Sequence, residues 1–175
     1  MKRLAIIIAW FFVVIIDGVV LPALTGLPTG FGIIIFLSAF AISFGIHRWV
    51  IILGIVLAFV TELNVGTYFG IIIGAWLVIA WAGHLMNRFF NMKPVNENDS
   101  LISILPIALL GFVLFCIGEV TLWVISRFVY ESGLSMATLL QIMRSPKILA
   151  GVVAELMVVL SIFRLVYSPG DSVYG

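Results

Sequence analysis

Runs of about 20 mostly apolar residues follow one another along almost the whole chain. Each is long enough to cross the roughly 30 Å hydrocarbon core of a bilayer as a helix rising about 1.5 Å per residue. Six such segments are read, at about residues 4–24, 27–46, 49–66, 68–87, 101–126 and 147–167. They take up most of the 175 residues and leave little for a domain outside the membrane. The expected fold is therefore all-α, a polytopic membrane bundle of about six transmembrane helices with no sizeable soluble domain.

Composition points the same way. Of the residues 63% are hydrophobic, and nine basic plus eight acidic side chains cannot clothe a water-soluble monomer of this length. The formal charge of +1 gives no basic surface for nucleic acid. Cys116 is the single cysteine, which excludes an intrachain disulfide or a cysteine-based metal centre.

The chain reads as one transmembrane domain, 1–175. A four-helix front (1–90) is separated by a polar linker (88–100), rich in Asn, Asp and Glu, from a two-helix back (101–167). Fusing the second and third segments into one helix would place His47 and Arg48 in mid-membrane, at about 2.5 kcal/mol or more for the arginine, so a turn is expected at 45–49. The first segment lacks a small-x-small cleavage site after Leu24 and is read as a retained helix. The fifth run continues apolar toward Tyr130, and 131–146 has the spacing of a short interfacial helix. With the N-terminus inside, Lys2, Arg3, Arg48, Arg88, Lys93 and Arg164 fall on the cytoplasmic side, against Arg127, Arg144 and Lys147 outside. Both termini are then expected in the cytoplasm.

Four carboxylates lie within or at the edge of apolar segments: Asp17, Glu62, Glu119 and Glu155. An acid in hydrocarbon is costly, so each is expected to face protein, water or a partner, or to be protonated. For Asp17 the plainer reading is a neutral or hydrogen-bonded acid that locks helix packing, with a partner or substrate contact as the alternative; for Glu119 it is an internal hydrogen bond or an interhelical ion pair. Glu119 has Thr121 nearby and Arg127 two turns on. Glu155 follows Gly151 and Ala154, small residues that allow a second backbone to approach.

The densest constellation is Thr61-Glu62-Leu63-Asn64-Val65-Gly66-Thr67-Tyr68-Phe69-Gly70. Glu62 ends an apolar run, Gly66 suits a helix stop, Thr67 suits a cap, and Gly70 with Gly74 flattens the next helix. The reading is a tight hairpin with an acid at its tip, in which Glu62, Gly66 and Gly70 either face a partner or stabilise the turn.

The stretch from Gly54 through Glu62 and Gly66 to Gly70 resembles the signature of the rod-shape-determining protein MreD family: a glycine, an apolar run, an acid, then glycines four and eight positions on. The likeness extends more loosely to the preceding helix and the His47-Arg48 turn, and beyond residue 101 it is one of hydropathy alone. The acid is usually Asp in that family and is Glu62 here, and Asp17, Glu119 and Glu155 match no family position. The resemblance implies a non-catalytic adaptor of the bacterial cytoplasmic membrane that belongs to the cell-elongation and peptidoglycan-synthesis machinery. Its implied partners are an MreC-like protein, the actin-like filament MreB and the peptidoglycan synthases.

Enzyme chemistry has little to stand on. His47 and His84 lie on separate segments outside any metal-ligand spacing, Cys116 has no neighbouring base, and no glycine pattern cradles a phosphate. No catalytic residue, cofactor or metal ligand is assigned. The alternative reading is the substrate-binding membrane subunit of an energy-coupling-factor vitamin transporter. Ala5-x-x-x-Ala9 resembles the docking motif of such subunits, and Trp76 and Trp81 are then the candidates to stack on a flat ligand.

Overall fold

The computed structural model describes residues 6–8, 10, 11, 15, 31–44, 47–65, 69–90, 101–131, 140 and 144–166. Five long helices are complete within that set: α1 (Phe31–Phe44), α2 (Arg48–Val65), α3 (Ile71–Phe90), α4 (Leu101–Phe128) and α5 (Pro146–Val166). Residues 6–8, 10, 11 and 15 are also helical, and no strand occurs among the described residues. Asp17, Gly66 and Thr67 lie outside them, as do residues 91–100 of the linker and most of 131–146.

The chain does break between the second and third apolar runs. α1 stops at Phe44, and α2 starts where the His47 carbonyl accepts the Val50 and Ile51 amides. His47 and Arg48 are exposed at this turn, where hydration costs nothing. α5 starts with Ser145 accepting the Leu149 amide through its carbonyl and Pro146 in the first helical position, whose missing N–H would have had no helical partner.

α1 forms the centre of the bundle and packs against α2, α3, α4 and α5. Its sequence, FGIIIFLSAFAISF, is apolar around the whole helix, the composition of a helix enclosed on all sides. Residues 33–41 are all buried, and the Ser38 hydroxyl donates to the Ile34 carbonyl within the helix. Phe163 of α5 sits edge-on to Phe36 and Phe44, with ring centroids 5.3 and 5.2 Å away, while Trp49 of α2 caps Phe40 and Phe44 at 6.1 and 5.7 Å. Gly118 of α4 is the close-approach point. A Cβ there would come within 2.6 Å of Ile34 Cγ2 and 2.8 Å of Ile79 Cδ1.

The pairings fix directions. Gly118 meets Ile34 and Gly111 approaches Ile42, so α4 runs against α1; Gly74 meets Ile125, so α4 also runs against α3. One end of the molecule therefore gathers the start of α1, the α2–α3 turn and the end of α4.

Two helices are long and apolar enough to cross a membrane, Ile71–Phe89 and Leu105–Phe128; Gly32–Phe44 and Ile148–Phe163 are apolar but shorter. α4 has 28 residues and is about 42 Å long, more than a hydrocarbon core requires. The outer faces of the bundle are apolar too. Ile52, Val56, Phe59 and Leu63 form an exposed stripe on α2, and Leu105, Leu109, Val113, Val120 and Val124 another on α4. Continuous stripes of this kind are uncommon on a protein surrounded by water.

Candidate functional site

The α2–α3 turn is organised by Glu62. Its position one turn before the end of α2 points the side chain back across the turn, and it is only 2% exposed. One carboxylate oxygen accepts the Gly70 amide at 2.9 Å, and the other accepts the Ile72 and Ile73 amides at 2.5 and 3.0 Å. These are first-turn N–H groups of α3, which lack carbonyl partners within the helix. A carboxylate there satisfies the free donors and lies at the positive end of the helix dipole. A buried acid is thus supplied with three donors from the chain's own backbone, which offsets its loss of water.

The sequence suits Thr67 to a cap, but that residue lies outside the described ones; α3 begins at Ile71, and its first amides are taken by Glu62 of the preceding helix. The methylene count matters, because the glutamate has to reach amides 8 to 11 residues ahead.

Gly70 supplies the turn's backbone conformation. Its φ of +90° lies where L side chains are strained, and its carbonyl accepts the Gly74 amide to start the α3 ladder. Among the described residues nothing lies within 4 Å of the position a Cβ would take. Gly70→Ala and Gly70→Leu should therefore destabilise the protein by similar amounts, about 1–2 kcal/mol from backbone strain. Thermal unfolding in detergent checks this; a much larger loss for leucine would mean that space, rather than φ, sets the requirement.

A second lock lies about two turns below. The Trp76 indole is fully buried, its N–H donates to the Ile51 carbonyl at 3.1 Å, and its ring lies directly over Gly54. A Cβ on Gly54 would sit 2.2 Å from Trp76 Cε2. Gly54, the first residue of the motif, is thus the seat of an aromatic ring from α3. Trp81, five residues further and about 140° around the helix, is 64% exposed. The two tryptophans expected to flank a common flat ligand have different surroundings.

A third tie joins the turn to the distant end of α4: the Tyr130 hydroxyl donates to the Phe69 carbonyl at 2.5 Å, across 61 positions of sequence. Phe69 is itself held edge-on to Phe59, with centroids 5.8 Å apart. The outside of the turn presents Leu63, Asn64 and Phe69, with Leu63 and Phe69 both about two-thirds exposed.

Of the other acids, Asp17 lies outside the described residues, and Glu119 and Glu155 stand on other helices. Glu119 is buried in α4, where the neighbouring Thr121 hydroxyl donates to the Ile117 carbonyl of its own helix and Arg127 is exposed. Glu155 is half-buried on α5. Among the described residues nothing lies within 4 Å of a Cβ on Gly151, and Ala154 is exposed, so the described helices meet α5 at other positions. The buried face of α5 is Val152, Leu156, Val159, Leu160 and Phe163, the last of them set against Phe36, Phe40 and Phe44 of α1. Among the described residues, no group of three His, Cys, Asp or Glu side chains is placed to hold a metal ion.

Comparison of the chain with protein-family models, with curated proteins and with solved structures returned no match.

Proposed function

We propose that this chain is a multi-pass protein of the bacterial cytoplasmic membrane, with about six crossing helices, that acts as a non-catalytic adaptor of the cell-elongation and peptidoglycan-synthesis machinery, as its resemblance to the MreD family implies. The observation that carries this reading is the locked α2–α3 turn. Glu62 is spent on the Gly70, Ile72 and Ile73 amides, so the start of α3 is tied to the end of α2, and beside that tie Leu63 and Phe69 present exposed apolar side chains. Apolar side chains carried on helix ends that are tied together suit docking, since little freedom is lost on binding. The apolar stripes on α2 and α4 support immersion in lipid. With both termini in the cytoplasm, the tip lies on the outer side together with Arg127, and Arg48 and Arg88 lie inside, in keeping with the positive-inside rule. A protein of the MreC type and a peptidoglycan synthase are the partners this reading names.

The test separates docking from folding by changing only exposed residues. Leu63→Ser with Phe69→Ser should lower stability in detergent only by the loss of the Phe59–Phe69 ring pair, about 0.5–1.5 kcal/mol, a loss that Phe59→Leu reproduces as the control. The double variant should cut co-purification of the MreC-like partner about tenfold, the scale of losing one well-buried apolar anchor, and rod-shaped cells should round. Full partner recovery with normal cell shape would sink the reading. The vitamin-transport alternative expects a tightly held flat ligand in the purified protein. The enclosure of Trp76 and the exposure of Trp81 favour the adaptor.

A further inference from the structure

The end of α4 carries a feature separate from the turn. Trp123, Arg127, Phe128 and Glu131 line an open concavity of about 410 Å³. The Trp123 and Phe128 rings stand at 90° to each other with centroids 6.2 Å apart, forming two walls of a corner. Arg127 lies in the last helical turn, and Glu131 follows at φ 51°, a left-handed conformation that glycine adopts readily and glutamate seldom does. The chain therefore holds a carboxylate, in an unfavourable backbone conformation, in the same concavity as a guanidinium and two aromatic rings. Such outliers often accompany binding sites.

We propose that this concavity binds the headgroup of a zwitterionic amine phospholipid of the phosphatidylethanolamine class. The charges select it. A purely anionic headgroup would meet Glu131 and a lone cation would meet Arg127, whereas a phosphate joined to an ammonium by two carbons satisfies both. Arg127 binds the phosphate with its forked donors. Glu131 accepts the ammonium hydrogens, and the ring faces stabilise the same positive charge. The position fits a lipid. The apolar stretch Leu105–Phe128 ends at the concavity, at the level where Trp and Arg meet headgroups, and exposed Val120 and Val124 lie one to two turns before it on the membrane side for the acyl chains.

This inference rests on the membrane placement and is independent of the adaptor role. Full-length protein is reconstituted into nanodiscs of mixed phosphatidylethanolamine and phosphatidylglycerol, released, and weighed by native mass spectrometry. The wild type should retain phosphatidylethanolamine about fivefold over phosphatidylglycerol, the scale of one partly exposed charge contact. Glu131→Gln should abolish that preference while Arg127→Gln lowers retention of both lipids, with circular dichroism and melting temperature unchanged because both side chains are exposed. Equal retention of the two lipids by the wild type, or an unaltered preference in Glu131→Gln, overturns the proposal. Soluble glycerophosphoethanolamine in excess should fail to displace the lipid; displacement would assign the concavity to a free small molecule instead. Failure to enter nanodiscs would overturn the membrane placement and this site with it, whereas insertion without headgroup preference overturns this site alone.

Discussion

Glu62→Ala should destabilise the protein by about 3 kcal/mol or more, the largest single-residue effect expected at the α2–α3 turn. The change removes the acceptor for three amides, two of them on the residues that open α3. A hydrogen bond to a charged group contributes about 1.5–3 kcal/mol, and an amide left buried without an acceptor costs about 1–3 kcal/mol. Partial access of water to Gly70 limits the sum. Glu62→Gln should fall between alanine and the wild type. Its one carbonyl oxygen can serve Ile72 and Ile73, but its amide group would then confront the Gly70 N–H, donor against donor. Glu62→Asp should resemble alanine more than glutamine, since the shorter side chain falls short of the α3 amides. Hydrogen exchange at Ile72 and Ile73, read beside thermal unfolding in detergent, checks the mechanism. Faster exchange at those two amides with Glu62→Ala, and little change with Glu62→Gln, is the expected pattern. Unchanged exchange in Glu62→Ala would show that other groups hold the start of α3.

Gly54→Ala should cost about 3 kcal/mol, an unusual amount for adding one methyl group. Overpacking a core generally costs about 1–3 kcal/mol, and the value depends on whether the neighbour can yield. Here the neighbour is the stiff bicyclic ring of Trp76. It is fully buried, tied to the Ile51 carbonyl and set against Phe40 at 5.9 Å. A Cβ would overlap three of its atoms, at 2.2, 2.3 and 2.6 Å. Either α2 and α3 separate or the indole swings out and loses its hydrogen bond. Trp76→Phe removes the fused ring that occupies this space, so the double variant Gly54→Ala/Trp76→Phe should be more stable than the sum of the two single losses implies, by about 1–2 kcal/mol. Strict additivity in that thermodynamic cycle would show that the methyl group and the indole do not compete.

Helices were legible because long apolar runs bounded by polar groups satisfy their backbone internally; of the runs of about 20 residues expected to span, two, Ile71–Phe89 and Leu105–Phe128, are long and apolar enough among the described residues. For the five helices described the sequence also placed the ends to within a few residues, since His47-Arg48 and the linker are polar groups that act locally; the first run, 4–24, lies largely outside the described residues. Helix arrangement was not legible. α1 carries no apolar face to distinguish from a polar one, so nothing in its pattern marks it as the central element. At the candidate site, Glu62 and Gly70 stood out as an acid and a glycine in apolar surroundings. What Glu62 binds could not be read, because its partners are backbone amides, which every residue but proline has. Gly54 belonged to the motif, but the ring it accommodates comes from 22 residues further along, and Trp76 was weighed as a ligand-stacking residue instead. The Tyr130–Phe69 bond left no local signal across 61 positions.

The central place of α1 bears on how the chain can vary. Its neighbours come from both sides of the polar linker: α2 and α3 before it, α4 and α5 after. A chimaera that joined residues 1–90 of one homologue to the remainder of another would bring a foreign pair of helices against this shared spine. Mismatches would arise at Gly118 and Phe163 together, and no repair on one seam would relieve the other.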